Sequence, residues 1–314
     1  PARDGVPVSM ELLLRMLQLY RAHADENGEV AAEQLAKIRA SDGYAEICYH
    51  SAELRRVDPS ALGEGERLAL WLNVYNLLCM HGYVEYADRC RGRVDILVVL
   101  RLHRRFKYNI GGQTLSALQI EHAVLRNGAP RPDFVGTRLV IPKFSAADPR
   151  LAGAPGQRAS AALLTFGLHP GTAFAPPLRI YNSRKVRAEL ADNARAFLRE
   201  VCEVRTQPPA PGGGSGGAVC VTLPIQLLWH HLDFGAPAAS PELLRALLPL
   251  LPSDIAATLG AQLKANPLLV TAQYRRHSWE VRYKVAESKR QSDRDSGAFF
   301  FGGGGGAASS ERSS

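Results

Sequence analysis

Long apolar runs are missing from this chain. None reaches the roughly 18 residues that a helix needs to cross a bilayer, so the sequence offers no membrane-spanning helix. Paired cysteines are missing too. Cys48, Cys79, Cys90, Cys202 and Cys220 are scattered without a CxxC or any paired spacing, which signals neither a disulfide framework nor a zinc site. Reduced, mostly buried thiols in a cytoplasmic protein are the expectation, with no metal and no cofactor. The chain also lacks HExxH, the GxSxG elbow, a GxxxxGK[ST] loop, and a GxGxxG in a strand-turn-helix setting. Zinc hydrolases, α/β-hydrolases, P-loop enzymes and dinucleotide-binding enzymes thereby lose their main signatures.

What is present is a globular composition. Of 314 residues, 46% are hydrophobic and 22% charged, enough for one large or two small cores and too apolar for a wholly disordered chain. The sequence begins at Pro1 and reads as an excerpt. The formal charge is +8, yet acids and bases are interspersed. The densest basic run, Arg101 to Tyr108, lies within an apolar pattern and reads as a solvated helix end. No aromatic-interleaved basic face accompanies it, so no specific nucleic-acid partner is implied.

The apolar spacing predicts helices after Ser9, over "AAEQLAKIRAS" and over "YAEICYHSAELRRV". The segment from Glu64 to Ala87 is apolar almost all round, as a central buried helix should be. Residues near Arg93 to Phe106 read as helical. Lys107 to Leu115 reads as two short strands joined by Gly111-Gly112, after which Ser116 caps a helix to about Arg126. Residues 127–160 form a long irregular excursion. Strands are expected at Ala162–Leu168, Ala218–Thr222 and Leu268–Tyr274. Asn182 reads as the cap of an amphipathic helix, Pro224 as the first turn of another, and Ser240 and Ser253 as starts of two more. The fold class is α+β: a mainly helical body around a buried central helix, with a small β-sheet. Residues 1–40 read as an N-terminal helical extension, 41–282 as the main domain with a flexible insert at 208–217, and 283–314 as a disordered Gly/Ser-rich tail.

Three groups of polar residues stand out. Asn73, Asn76 and His81 sit on the apolar central helix, where an unsatisfied buried polar group would cost about 1–3 kcal/mol. They must therefore belong to a network, either tethering neighbouring loops or holding a site rigid. Glu121 and His122 are adjacent, so on an α-helix they point about 100° apart; the plain reading of Glu121 is a buried carboxylate paired with a cation, with Arg126 only marginally placed for it. The stretch Thr165 to Asn182, "TFGLHPGTAFAPPLRIYN", is rich in glycine and proline and contains His169.

Read in order, "WLNVYN", "FKYNIGGQTLSALQIEHAVLR", "DPRLA", "LLTFGLHPGTAFAPPLRIYNSRKVRAEL", "VTLPIQLLWHHLDFG" and "VTAQYRRHSWE" resemble the family called domain of unknown function 547, in the form of its plant and algal members. That family has no established activity, so the resemblance names a fold unit and no reaction. It implies a Cys-Gly pair where this chain has Pro170-Gly171, and in many members a second Cys where this chain has Ala175. A cysteine at that place would suit papain- or transglutaminase-like chemistry; proline cannot serve.

Two functions follow as expectations. The first is a non-catalytic protein-interaction or scaffold module, with Asn73, Asn76, Glu121, Pro170 and Gly171 shaping a cleft or network. The alternative is a hydrolase or acyl-transferase using His81, His122 and His169 in a shared cleft. A third reading is weak binding of anionic ligands or surfaces through Arg101, Arg104, Arg105 and Lys107.

Overall fold

The computed structural model describes residues 4–90, 95–127, 129–132, 141–155, 161–207 and 217–284. Helix α1 spans Gly5–His23 and is followed by β1 (Glu29–Val30), α2 (Ala32–Arg39) and α3 (Asp42–Ser51). Asp4, not Ser9, starts α1: its side chain accepts from the Val6 N–H, while Ser9 lies inside the helix and returns its hydroxyl to the Val6 carbonyl.

Helix α4 (Glu64–Glu85) opens with the Glu66 carboxylate accepting the Gly63 N–H. Every residue from Leu68 to Val84 is buried. A helix this apolar has no face to give to water, so it must be wrapped. Helix α1 packs along it, and α5 (Ile96–Arg105), α2 and the later helices close the remaining sides. Two polar anchors fix the wrapping: the Tyr20 hydroxyl donates to the Met80 carbonyl, and the Trp71 indole N–H donates to the Gly153 carbonyl at 2.7 Å. Each large side chain enclosed here adds about 1.5–3 kcal/mol of burial.

The expected hairpin is present as β2 (Lys107–Ile110) and β3 (Gln113–Ser116), paired antiparallel. Gly111 and Gly112 have φ of 58° and 84°, the positive pair that a two-residue hairpin turn requires. Ser116 then caps α6 (Ala117–Gln119) in a reciprocal capping box with Gln119, and the helix widens into a π-helical segment, Ile120–Leu125.

Residues 161–167 differ from the expected strand. They form α7 (Ala161–Gly167), because this short apolar run is buried on two sides. Leu164 and Leu168 join the core around α4, whereas Phe166 joins a second core. Helix α8 (Val186–Val201) divides its residues likewise, Leu190 to the first core and Phe197 to the second. Asn182 does not cap α8: its side chain accepts from Arg184 N in a preceding turn, and Lys185 occupies the cap position.

The second core lies under a three-stranded sheet. Strand β4 (Glu203–Thr206) pairs antiparallel with β5 (Val219–Pro224), which pairs parallel with β6 (Val270–Arg275). Strand β4 escapes sequence reading because its residues are mostly exposed and polar. Pro224 ends β5 instead of opening α9 (Gln226–Trp229). Helices α10 (Pro241–Leu247, capped by Ser240) and α11 (Ser253–Ala265) cover this sheet. Finally β7 (Tyr283–Lys284), placed by the sequence in the tail, pairs antiparallel with β1. The strands thus form three separate sheets among the described residues. Most of the expected insert and the remainder of the tail lie outside the described residues, and no described helix is long and apolar enough to cross a membrane.

Candidate functional site

The loop between α7 and α8 is held by amide side chains. Asn73 accepts the Tyr181 N–H at 2.8 Å and donates to the Tyr181 carbonyl at 2.9 Å. One turn later on α4, Asn76 accepts the His169 N–H at 2.9 Å and donates to the Gly167 carbonyl at 3.2 Å. Asn193, on α8, donates to the carbonyls of Phe166 and Pro177. Buried amides replace the secondary-structure partners that this non-helical backbone lacks.

Within the loop, the Tyr83 hydroxyl donates to the Pro170 carbonyl at 2.8 Å. Gly171 has a φ of 82°, and a Cβ there would lie 2.2 Å from the Tyr83 ring and 2.6 Å from the Tyr283 hydroxyl. Only glycine fits that backbone at that distance. The same loop meets the C-terminal segment, where Ala173 N–H donates to the Glu280 carbonyl and Arg282 N–H to the Gly171 carbonyl.

Pro170 forms part of the wall of a cleft of about 120 Å³. Its apolar sides come from α5 (Ile96, Val99), from Leu118 of α6, and from Ile141 and Leu168. Its polar groups include His103, Glu121, His122, Thr165, His230 and His277, and two tryptophans, Trp229 and Trp279, stack at its rim with ring centroids 5.7 Å apart and planes 17° apart.

Glu121 and His122 border this cleft together, with His122 Nε2 3.7 Å from a Glu121 carboxylate oxygen. The expectation of a 100° divergence holds for an α-helix; here both residues belong to the π-helical segment, a geometry frequent at functional sites. Glu121 also accepts the Tyr75 hydroxyl at 3.0 Å and lies 3.9 Å from Arg126. Burial would raise its carboxyl, but His122, Arg126 and the other groups around it outweigh burial and hold it below its usual range. Burial pushes the His122 imidazole down to about 4, and its ring stacks on His230 at 6.4 Å.

The main partner of Arg126 is one that sequence reading missed. Its guanidinium is buried against Asp233, from the turn after α9, and also donates to the Thr165 hydroxyl at 3.1 Å. Among the described residues, no hydrogen-bond partner reaches the buried His230 Nδ1 and His277 Nε2. Burial holds His103 and His230 below the ordinary imidazole range, and brings His277 to about 4. The "WHH" and "RRHSWE" stretches carried the only sequence signal for this wall, and that signal is histidine beside tryptophan.

The other two catalytic candidates lie elsewhere. His169 is buried behind the loop, its Nδ1 2.7 Å from the Pro176 carbonyl and its ring 4.8 Å from Tyr283. His81 contacts the Tyr108 hydroxyl through Nδ1 at 2.7 Å and Cys48 Sγ through Nε2 at 3.6 Å. Burial lowers both to about 4. Of the three imidazoles only His122 faces the cleft. Arg101, Arg104, Arg105 and Lys107 are exposed on the end of α5 and the start of β2, with Arg105 over the Tyr86 ring at 5.9 Å. Among the described residues, Cys48, His81 and Glu85 bring a thiol, an imidazole and a carboxylate together away from the cleft.

The buried helix, the amide-clamped loop and the cleft behind it define an α+β domain with a recess of about 120 Å³ beside residue 170. Residues 59–198 match the family described as "Protein of unknown function, DUF547", a stretch that holds α4, the hairpin, the Glu121–His122 pair and the clamped loop. Over these residues the chain is similar to that family. No curated protein matches, and no solved structure matches.

Proposed function

We propose that this is a non-catalytic protein-interaction or scaffold module, and that the recess beside Pro170 receives an apolar or aromatic side chain of its partner. The observation that carries this reading is the composition of the cleft wall. Among the described residues it offers imidazoles and a carboxylate but no cysteine, serine or lysine; of its two hydroxyls, Thr165 accepts a hydrogen bond from Arg126 and Tyr75 donates to Glu121. At the position where the family resemblance implies a cysteine stands Pro170, which has no side-chain nucleophile. The imidazole of His122, held near 4, is a weak base at neutral pH, where general-base catalysis favours a group whose pKa lies near the working pH. Stacked tryptophans at the rim suit an aromatic guest.

The unit we assign to this role is residues 41–282, with 1–40 as a helical extension and 283–314 as a tail. Its working environment in this reading is intracellular, with reduced thiols. The exposed cations Arg101, Arg104, Arg105 and Lys107 supply at most a weak, salt-sensitive contact to anionic surfaces.

The alternative, a hydrolase or acyl-transferase, draws support from the Glu121–His122 pair facing one cleft. Photo-crosslinking from position 100 at the cleft wall, together with a panel of ester and amide substrates, separates the readings. The expected result is a reproducible crosslinked partner, lost in Leu118→Arg, and no turnover. Turnover abolished by His122→Gln overturns the non-catalytic reading, as does the absence of any reproducible partner.

A further inference from the structure

We propose that Cys48, His81 and Glu85 form a zinc-binding site joining α3 to α4, independent of the cleft and leaving one coordination position for water. One ligand atom of each residue lies within 4.8 Å of the other two. The Cys48 Sγ to His81 Nε2 separation is 3.6 Å. Two bonds of about 2.3 Å to sulfur and about 2.1 Å to nitrogen, opened at the tetrahedral angle, place those atoms about 3.6 Å apart. The two atoms already stand at the separation that a shared zinc ion would impose.

The surroundings resemble those of a ligand set more than those of a simple buried pair. Ligating imidazoles characteristically use their other nitrogen to hold a hydrogen bond that fixes ring and tautomer. His81 does so through Nδ1 to Tyr108 Oη at 2.7 Å, and with Nδ1 protonated the Nε2 lone pair faces Cys48. The carboxylate is oriented in the same manner, since the Tyr44 hydroxyl donates to Glu85 Oε1 at 2.7 Å. Among the described residues, Arg39 approaches the other Glu85 oxygen at 3.8 Å.

Helix geometry supplies the pairing of two ligands: His81 and Glu85 are four residues apart on α4 and so share a face. Cys48 arrives from α3, which packs beside them. The site is reachable, because Cys48 is half-buried and the Glu85 side chain is 32% exposed. A thiolate, an imidazole and a carboxylate form a borderline-soft set that suits zinc and disfavours magnesium or calcium. Binding exchanges the Cys48 S–H proton for the metal and releases that proton to solvent. With three protein ligands, water takes the fourth position.

The test uses the full chain and metal alone. Zinc-free protein is titrated with cobalt(II), then with zinc(II), and bound zinc is counted after gel filtration. One equivalent is expected, with a thiolate-to-cobalt charge-transfer band that zinc abolishes. Cys48→Ala should lose both the band and the bound zinc. Tyr108→Phe, which keeps all three ligands, should weaken binding about 10-fold or more, and His230→Gln in the cleft should leave it unchanged. Because His81 is central to α3–α4 packing, a measurement needing no variant is included: zinc should protect Cys48 from alkylation, read by peptide mass. A wild-type protein that binds no zinc, a Cys48→Ala protein that still binds one equivalent, or unprotected Cys48 overturns the assignment.

Discussion

Asn73 and Tyr181, far apart in sequence, exchange two hydrogen bonds between one side-chain amide and one backbone unit, at 2.8 and 2.9 Å. The amide thereby imitates a strand partner for a loop that has none. Replacing Asn73 by Leu leaves the Tyr181 N–H and carbonyl buried without partners, at about 1–3 kcal/mol each. The expected outcome is a lower urea midpoint at unchanged slope. A loss below about 0.5 kcal/mol would mean that the loop does not depend on this clamp.

Gly171 and Gly112 share a positive φ, 82° and 84°, but not their surroundings. Among the described residues nothing lies within 4 Å of a Cβ at Gly112, whereas one at Gly171 runs into Tyr83. Gly112→Ala should cost about 1 kcal/mol from backbone strain alone. Gly171→Ala should cost several times as much, and Tyr83→Ala in the same chain should recover part of it. Equal costs at the two glycines would show that the Tyr83 contact carries no weight.

Acid should weaken the protein well above the carboxylate range. His81, His122, His169 and His277 are each held near 4 by burial, against about 6.5 in the unfolded chain. Between those values the unfolded state binds more protons than the folded one, so stability rises with pH through that window and is lost as pH falls from about 6.5 toward 4. Urea midpoints measured from pH 7 to pH 4 should fall steadily, and His169→Leu should flatten the profile. A flat wild-type profile would contradict the burial of these rings.

The Arg126–Asp233 pair ties the π-helical segment to the turn after α9, and both side chains are 1% exposed. Asp233→Asn alone leaves a buried guanidinium without its counter-charge, at an expected cost of about 3–5 kcal/mol. Arg126→Met together with Asp233→Leu should recover most of that, since an apolar pair restores neutrality. Calorimetric unfolding of the single and double variants makes the comparison.

Local pattern carried the parts of the fold that local physics decides. Helix α4, the Gly111-Gly112 hairpin and the Ser116 cap are each written in a few consecutive residues. Ala161–Gly167 was misread because a short apolar run between turn residues suits a buried strand or a buried helix equally. Strand β4 carries no inward-facing apolar alternation, so only its pairing with β5 reveals it. The cleft was the least legible: His103, His122, His230 and His277 come from distant segments, and each by itself looks like a core histidine. The meeting of Cys48 with His81 and Glu85 was equally hidden, since spacing shows only that the last two share a helical face.

Tyr283 is buried against Tyr20, Tyr83 and His169, and its neighbour Lys284 completes the ladder with Glu29. One side chain near the late end of the described chain therefore touches the first helix, the central helix and the clamped loop at once. Pulling residues 283–284 away from residues 29–30 would withdraw the ring that backs His169 and sits above Gly171. What happens at the seam between the early and late segments is thus mechanically coupled to the loop that walls the cleft, through the Tyr283 phenol and the backbone bonds that residues 280 and 282 make to the loop.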